Sequence, residues 1–388
     1  AVEPYTQEKL SDNNRDQIEA YLGSLFNNQL NQIASDRVLN RDSLESFALY
    51  GNSYLMANCM KAGLIDSLTY YDQFESFLKS KHKDFKWVES KNYNGNESEY
   101  EYVEDKIAVV FLEGEIIPGR SESEGQIASD DVCKLLRKIK NDDNIKAVVL
   151  RINSPGGSSV ASDLIAREIS LIKEKKPVIA SFSNVAASGG YYIACLADSI
   201  FADRNSITGS IGVFALIPNT GKLYGGTLGL NYESVNSGPQ SELWRPDKPL
   251  SESQKRIMQK MVDGVYEDFT QIVSRGRNLE INRVKEIAEG KVYSGVQAKE
   301  IGLIDGFGGL EYSIQAAAKK AKIKAYRISE YPKDKDPFEQ LFSALEMNTY
   351  LQSNLQKNPV GKVLLKSTEQ WNSIQGIQMR IPWSTDYQ

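Results

Sequence analysis

An α/β fold with mainly parallel strands is what this sequence predicts, and three observations predict it. Short β-rich runs alternate with helical patterns between residues 107 and 202, paired glycines follow two of the runs, and a long amphipathic pattern fills 250–289. Alternation implies parallel pairing, because a parallel neighbour can be reached only through a crossover, usually a helix.

The run Ile107-Ala108-Val109-Val110-Phe111-Leu112 is the first predicted strand, followed by a helix over 129–140. Ala147-Val148-Val149-Leu150-Arg151-Ile152 is the second, leading through Asn153-Ser154-Pro155-Gly156-Gly157 into a helix over 161–175. Further strands fall at 178–182 and 199–202, with a helix over 188–196 between them. In 250–289, Ile257, Met261, Val265, Phe269, Ile272 and Val273 recur every three or four residues, which predicts a core-facing helix. After Arg327 the chain reads as irregular and polar, with Pro332, Pro337, Pro359 and Pro382 and the closing Arg380-Ile381-Pro382-Trp383. Composition assigns that tail no role.

The 388 residues leave room for two domains of roughly 100–200 residues each. A net charge of −5 with interleaved signs offers no basic face, so nucleic acid is not an expected partner. Cys59, Cys133 and Cys195 lack zinc or disulfide spacing and are expected to be small buried apolar residues. No cofactor or metal is predicted. No stretch reaches the ~18 apolar residues of a spanning helix, and Ala1-Val2-Glu3-Pro4-Tyr5 has no signal-peptide character. As written, the chain reads as soluble.

A weak repeat runs at a lag of 239 residues: Gly63-Leu64-Ile65-Asp66 recurs as Gly302-Leu303-Ile304-Asp305, and Gln32-Ile33 falls on Gln271-Ile272. Leu10-Ser11 matches Leu250-Ser251 after a one-residue gap. This register predicts a duplication with the C-terminal remnant of repeat one over 1–88 and a polar connector over 89–105. A complete repeat two follows over 106–328, then an extension over 329–388. The first copy is expected to need about 130 further residues ahead of Ala1.

Ser188, in Ala186-Ala187-Ser188-Gly189-Gly190, is the candidate nucleophile. A serine hydroxyl needs a neighbouring base and donors for the developing oxyanion. The sole histidine, His82, lies in the lysine-rich Lys79-Ser80-Lys81-His82-Lys83, so lysine is the expected activator. Taken alone, Ser188 would read as a helix N-cap and Asn153 to Gly157 as a plain turn; their succession reverses that balance.

Ile152-Asn153-Ser154-Pro155-Gly156-Gly157, Val185-Ala186-Ala187-Ser188-Gly189-Gly190-Tyr191-Tyr192 and Ile207-Thr208-Gly209-Ser210-Ile211-Gly212 together resemble the signal peptide peptidase A family. The resemblance implies a ClpP/crotonase-like fold of repeated ββα units and a bacterial serine peptidase. It makes Ser188 the nucleophile, Gly157 and Gly189 the oxyanion-hole donors, and Ser210 the serine that orients the catalytic lysine. In the long form that lysine belongs to repeat one, in Lys-Ser-Ala-Val-Glu-Pro plus an aromatic, which sets it two residues ahead of Ala1. Single-repeat relatives carry Lys-Ser-Gly where this chain has Asn236-Ser237-Gly238. Implied partners are signal-peptide remnants and other hydrophobic peptides, further copies of the chain in a homo-oligomer, and the periplasmic side of the bacterial inner membrane, reached through a preceding segment. Two alternatives stay open: an inactive assembly or peptide-binding piece, and a crotonase-type acyl-CoA enzyme.

Overall fold

The computed structural model describes residues 3, 7–50, 52–82, 85–89, 103–121, 125–230, 233–238 and 240–332, together with the backbone of 376–380. Most of the predicted connector, and the extension apart from 329–332 and 376–380, lie outside the described residues. The chain divides into two compact units, Leu22–Val103 and the combination of Ala1–Tyr21 with Glu104–Gln388.

Helix α1 (Asp12–Arg37) is followed by α2 (Arg41–Leu49), α3 (Met56–Lys61) and α4 (Tyr71–Lys81). Leu30, Ala34 and Leu44 form a small buried cluster, backed by Phe26, Ala48 and Leu64. Asn40 caps α2 by accepting the Ser43 N–H at 2.9 Å. Arg37, at the end of α1, donates from Nε to the Gly63 carbonyl at 2.9 Å and pairs with Asp66 at 2.8 Å.

The larger unit opens with β1 (Lys106–Glu113), β2 (Glu115–Ile117), β3 (Gln126–Ala128), α5 (Ser129–Asn141), β4 (Ile145–Ser154), β5 (Gly156–Ser158) and α6 (Ser159–Lys173). It continues with β6 (Val178–Ala187), α7 (Gly189–Ala194), β7 (Ser199–Ala202), β8 (Ile207–Gly209) and β9 (Phe214–Leu216). The remaining elements are α8 (Glu252–Arg277), α9 (Ile281–Ile287), β10 (Val292–Ser294), α10 (Gly295–Glu300), β11 (Gly306–Phe307), α11 (Leu310–Ala321), β12 (Arg327–Tyr331) and β13 (Gly376–Arg380).

The main sheet runs β10-β8-β6-β4-β1-β12, with β7 beside β6 and β11 beside β7. Every pair in it is parallel except β10 with β8. Alternation along each strand sends side chains to two separate cores. Ala108, Val110, Leu112, Val148, Leu150 and Ile152 pack with residues of α5, α6 and α7. Ile107, Val109, Ala147, Val149 and Ile179 pack against Ile314, Ala317 and Ala318 of α11. Both faces are covered, as a parallel sheet requires. Twice in succession a long strand of the main sheet leads into a second sheet, ordered β3-β2-β5-β13-β9, and then into a helix: β1 through β2 and β3 to α5, and β4 through β5 to α6. That is the expected ββα pattern.

Three predicted elements differ from those observed. Strand 178–182 extends to Ala187, so the helix expected from 188 begins at Gly189. The pattern over 250–289 is two helices, because Asn278 takes a left-handed conformation (φ 52°) and ends the first. The start of the segment read as irregular is an edge strand over Arg327–Tyr331, with Ile107 opposite Ile328; its alternation is too weak in apolar residues to be seen.

The repeated motif carries a repeated interaction. Arg277 donates from Nε to the Gly302 carbonyl at 3.2 Å and pairs with Asp305 at 2.8 Å, matching Arg37 with Gly63 and Asp66. The two arginines stand 240 residues apart, one more than the lag of the Gly-Leu-Ile-Asp motif, so the helices carry a one-residue offset. Burial alone would raise the Asp305 carboxyl, but the Arg277 guanidinium holds it below its ordinary value. Stabilisation from this pair is therefore present above about pH 4 and is lost as pH falls through the lowered value. Arg277→Ala is expected to cost about 2 kcal/mol at pH 7, less than a fully buried pair because Asp305 stays partly exposed. Urea unfolding at pH 7 and pH 3 checks this: the gap from the parent narrows at pH 3, and a pH-independent gap would assign the loss to packing.

Candidate active site

Parallel strands β4 and β6 pair in register up to Ile152 opposite Phe182, then slip, so that Ser154 faces Ala186. The slip leaves the Val185 N–H without its ladder partner, and the Asn153 side chain supplies one, accepting it at 3.3 Å. Asn153 also donates to Glu113 at 3.2 Å, tying the ends of β1, β4 and β6 together. On the other side of β6, Thr208 Oγ1 donates to the Ala186 carbonyl at 2.7 Å, and Ala187 lies opposite Gly209.

These contacts fix Ser188. Its backbone adopts φ 53° and ψ −118°, a region rare for a residue with a side chain and worth roughly 1–3 kcal/mol of strain. Its N–H donates to the Gly209 carbonyl at 2.9 Å, and its own carbonyl accepts the Tyr192 N–H at 2.8 Å. The turn thus joins a strand end to a helix start, the backbone arrangement of a nucleophile elbow. Ser188 is fully buried, and no side chain among the described residues hydrogen-bonds its Oγ.

Gly189 opens α7 and is buried. Gly190 presses α7 against β4, because a Cβ there would stand 2.7 Å from the Ser154 carbonyl oxygen. Gly157 has φ +151°, and a Cβ on it would lie 2.1 Å from the Ile116 carbonyl oxygen; β5 can approach β2 only with glycine there. α7 runs beside β5, so the Gly157 strand and the Ser188 turn belong to one locality. Ser210 continues directly from β8, with φ 49° and its N–H donating to the Lys291 carbonyl at 2.7 Å.

Among the described residues no base hydrogen-bonds the Ser188 hydroxyl. Lys291 turns its ammonium to the Glu286 carbonyl and Glu289. Burial pushes the Cys195 thiol up to about 12 and the Tyr191 hydroxyl well above its ordinary value, so both stay protonated at neutral pH. Cys59 and Cys133 are likewise free and buried. Asn236 is exposed, and its side chain hydrogen-bonds Glu242. His82 ends α4 in the other unit. Among the described residues no cluster of acids, cysteines or histidines could hold a metal ion, and no helix is long and apolar enough to cross a membrane.

Ser188, Gly157, Gly189 and Ser210 are the residues that the sequence motifs single out, while Asn153 and Thr208, which hold β6 beside the turn, enter only through the sheet. A polar residue at a strand end, just before a glycine turn, was the available signal for Asn153.

Sequence comparison places this geometry among known proteins. The profile of Peptidase family S49 matches residues 170–324, and that of Clp protease matches 98–206; both ranges contain Ser188. A putative signal peptide peptidase SppA of Enterococcus faecium is 36% identical over 258 residues, covering 63% of this chain and 74% of that protein. The chain belongs to peptidase family S49. Protease 4 of Haemophilus influenzae, 36% identical, covers 82% of the chain but only 54% of its own length. The chain spans about half the length of the long S49 relatives it matches. A ClpP1 mutant from Listeria monocytogenes matches at a TM-score of 0.36 and 18% identity, over 53% of this chain and 94% of its own. At that score the likeness says nothing further about the fold.

Gly190→Ala in this S49 chain is expected to cost about 1–3 kcal/mol, since its Cβ meets backbone rather than a yielding side chain. Urea unfolding measures the loss. Unchanged stability would mean that α7 does not rest on Ser154.

Proposed function

We propose that this chain carries the nucleophile and oxyanion half of a Ser/Lys-dyad endopeptidase site. Ser188 is the nucleophile, the backbone N–H groups of Gly157 and Gly189 receive the oxyanion, and Ser210 orients the base. The observation that carries this reading is the Ser188 turn: a strained, buried serine whose hydroxyl has no hydrogen-bond partner, beside a glycine strand. A structural N-cap serine would have spent that hydroxyl on the helix, and Ser188 makes no such bond.

The base in this reading is a lysine contributed by repeat one of the full-length protein, the residue that family resemblance sets just ahead of Ala1. A lysine accepts the serine proton only when neutral, which requires burial or a nearby cation to lower its pKa from about 10.4. Domain organisation follows the same reading: a repeat-one remnant over 1–88, a connector, the peptidase repeat over 106–328, and an extension. The substrates are hydrophobic peptides, above all signal-peptide remnants. The full-length protein works as a homo-oligomer on the periplasmic side of the bacterial inner membrane. A crotonase-type acyl-CoA reaction needs no serine hydroxyl, and the strained placement of Ser188 weighs against it.

Turnover of a hydrophobic peptide tests the assignment. The 388-residue chain alone is expected to hydrolyse it negligibly. In the full-length protein Ser188→Ala lowers kcat on the order of 10³-fold or more, and Gly157→Pro, which deletes an oxyanion donor, by about 10²-fold or more. Activity rises with pH as the lysine deprotonates. Full turnover by Ser188→Ala would remove the nucleophile, and a rate falling through neutral to alkaline pH would remove the lysine.

A further inference from the structure

Arg151 is the one charged residue in the apolar run 147–152, and it is half-buried. Among the described residues it has no acidic partner. Nη1 donates to Ser181 Oγ at 3.1 Å and to the Phe182 carbonyl at 2.7 Å, and Nη2 donates to Ser183 Oγ at 3.1 Å. Burial holds the guanidinium below its ordinary value, with no carboxylate to offset it. What offsets the burial of this cation is its set of hydrogen bonds to three successive residues of β6.

Those residues mark the place where β6 changes partners. β6 pairs with β7 over 179–181 and with β8 over 185–187, so on that edge 182–184 face no strand among the described residues. Its other edge slips against β4 in the same place, between Ile152 opposite Phe182 and Ser154 opposite Ala186. Side chains stand in for the ladder there. Arg151 holds the Phe182 carbonyl, Ser206 Oγ donates to the Ser183 carbonyl at 2.5 Å, and Asn153 accepts the Val185 N–H. Ser206 also accepts the Asp203 N–H at 3.1 Å, which fastens the β7–β8 connection to the gap.

Beyond the gap, only the pairing of 185–187 with 207–209 joins β6 to β8 before the strained Ser188 turn. We propose that Arg151 is a positioning residue for Ser188: by holding 181–183 it fixes the register in which β6 leaves β7 for β8, and so brings the Ser188 N–H to the Gly209 carbonyl. Without its donors the unpaired stretch relaxes, and the turn loses the restraint that keeps it left-handed. The consequence for hydrolysis rests on the peptidase reading of Ser188, whereas the mechanical role does not. A displacement of about 1 Å at a reacting group costs on the order of 10²-fold in rate.

The test compares hydrogen exchange of the 388-residue chain with that of Arg151→Met, which keeps an extended side chain and removes its donors. Exchange at the Val185, Ser188 and Tyr192 amides is expected to quicken about tenfold more than at 107–112, which report opening of the whole sheet. In the full-length protein Arg151→Met is expected to lower kcat about 10–100-fold with KM within about twofold. Arg151→Lys, which keeps a donor for the Phe182 carbonyl but not for both serines as well, recovers part of both readouts. Should Arg151→Met fail to fold, Arg151→Lys carries the test: faster exchange confined to 185–192 supports the proposal, and exchange at the parent rate overturns it. Equal quickening at 185–192 and 107–112 would also overturn it, as would an unchanged kcat in a protein that Ser188→Ala inactivates. Full turnover by Ser188→Ala would remove the peptidase reading alone, because the exchange comparison still decides the role of Arg151.

Discussion

The candidate site depends on one backbone constraint, the left-handed turn at Ser188. A residue with a side chain leaves that conformation unless its surroundings hold it. Here the restraints come from both sides: β8 takes the Ser188 N–H through Gly209 and anchors Ala186 through Thr208, while α7 returns the Tyr192 N–H. Asn153 repairs the register slip that lets β6 run on to Ala187. The glycines at 157 and 190 allow backbone to come within distances that a Cβ would forbid. Strain at the turn is thus offset by ordinary sheet and helix bonds around it, and the hydroxyl is left unspent.

The second organising feature is repetition. Arg37 and Arg277 each end a long helix and each clamp a glycine carbonyl and an aspartate in the Gly-Leu-Ile-Asp motif. The later clamp is far more buried at its arginine, 7% exposed against 33%, so removing one partner costs more there.

The parallel α/β architecture was legible because strands buried on both faces are continuous apolar runs, as in 107–112 and 147–152. Ser188 was legible through its neighbours, but its conformation was not: a serine before two glycines reads as the start of a helix, and only pairing with β8 excludes it. The slip at Asn153 depends on a strand 32 residues away, and the insertion of 376–380 beside β5 on one more than 200 residues away. Local patterning carries no information about such pairings. The weak edge strand β12 escaped because three of its five residues face solvent, which leaves little apolar pattern to read.

The most direct measurement is to treat active full-length protein with a serine-directed fluorophosphonate and map the adduct by mass spectrometry. Modification at Ser188, in step with loss of peptidase activity, is the predicted result. An inactivated protein whose adduct lies on another residue, with Ser188 unmodified, would contradict the account.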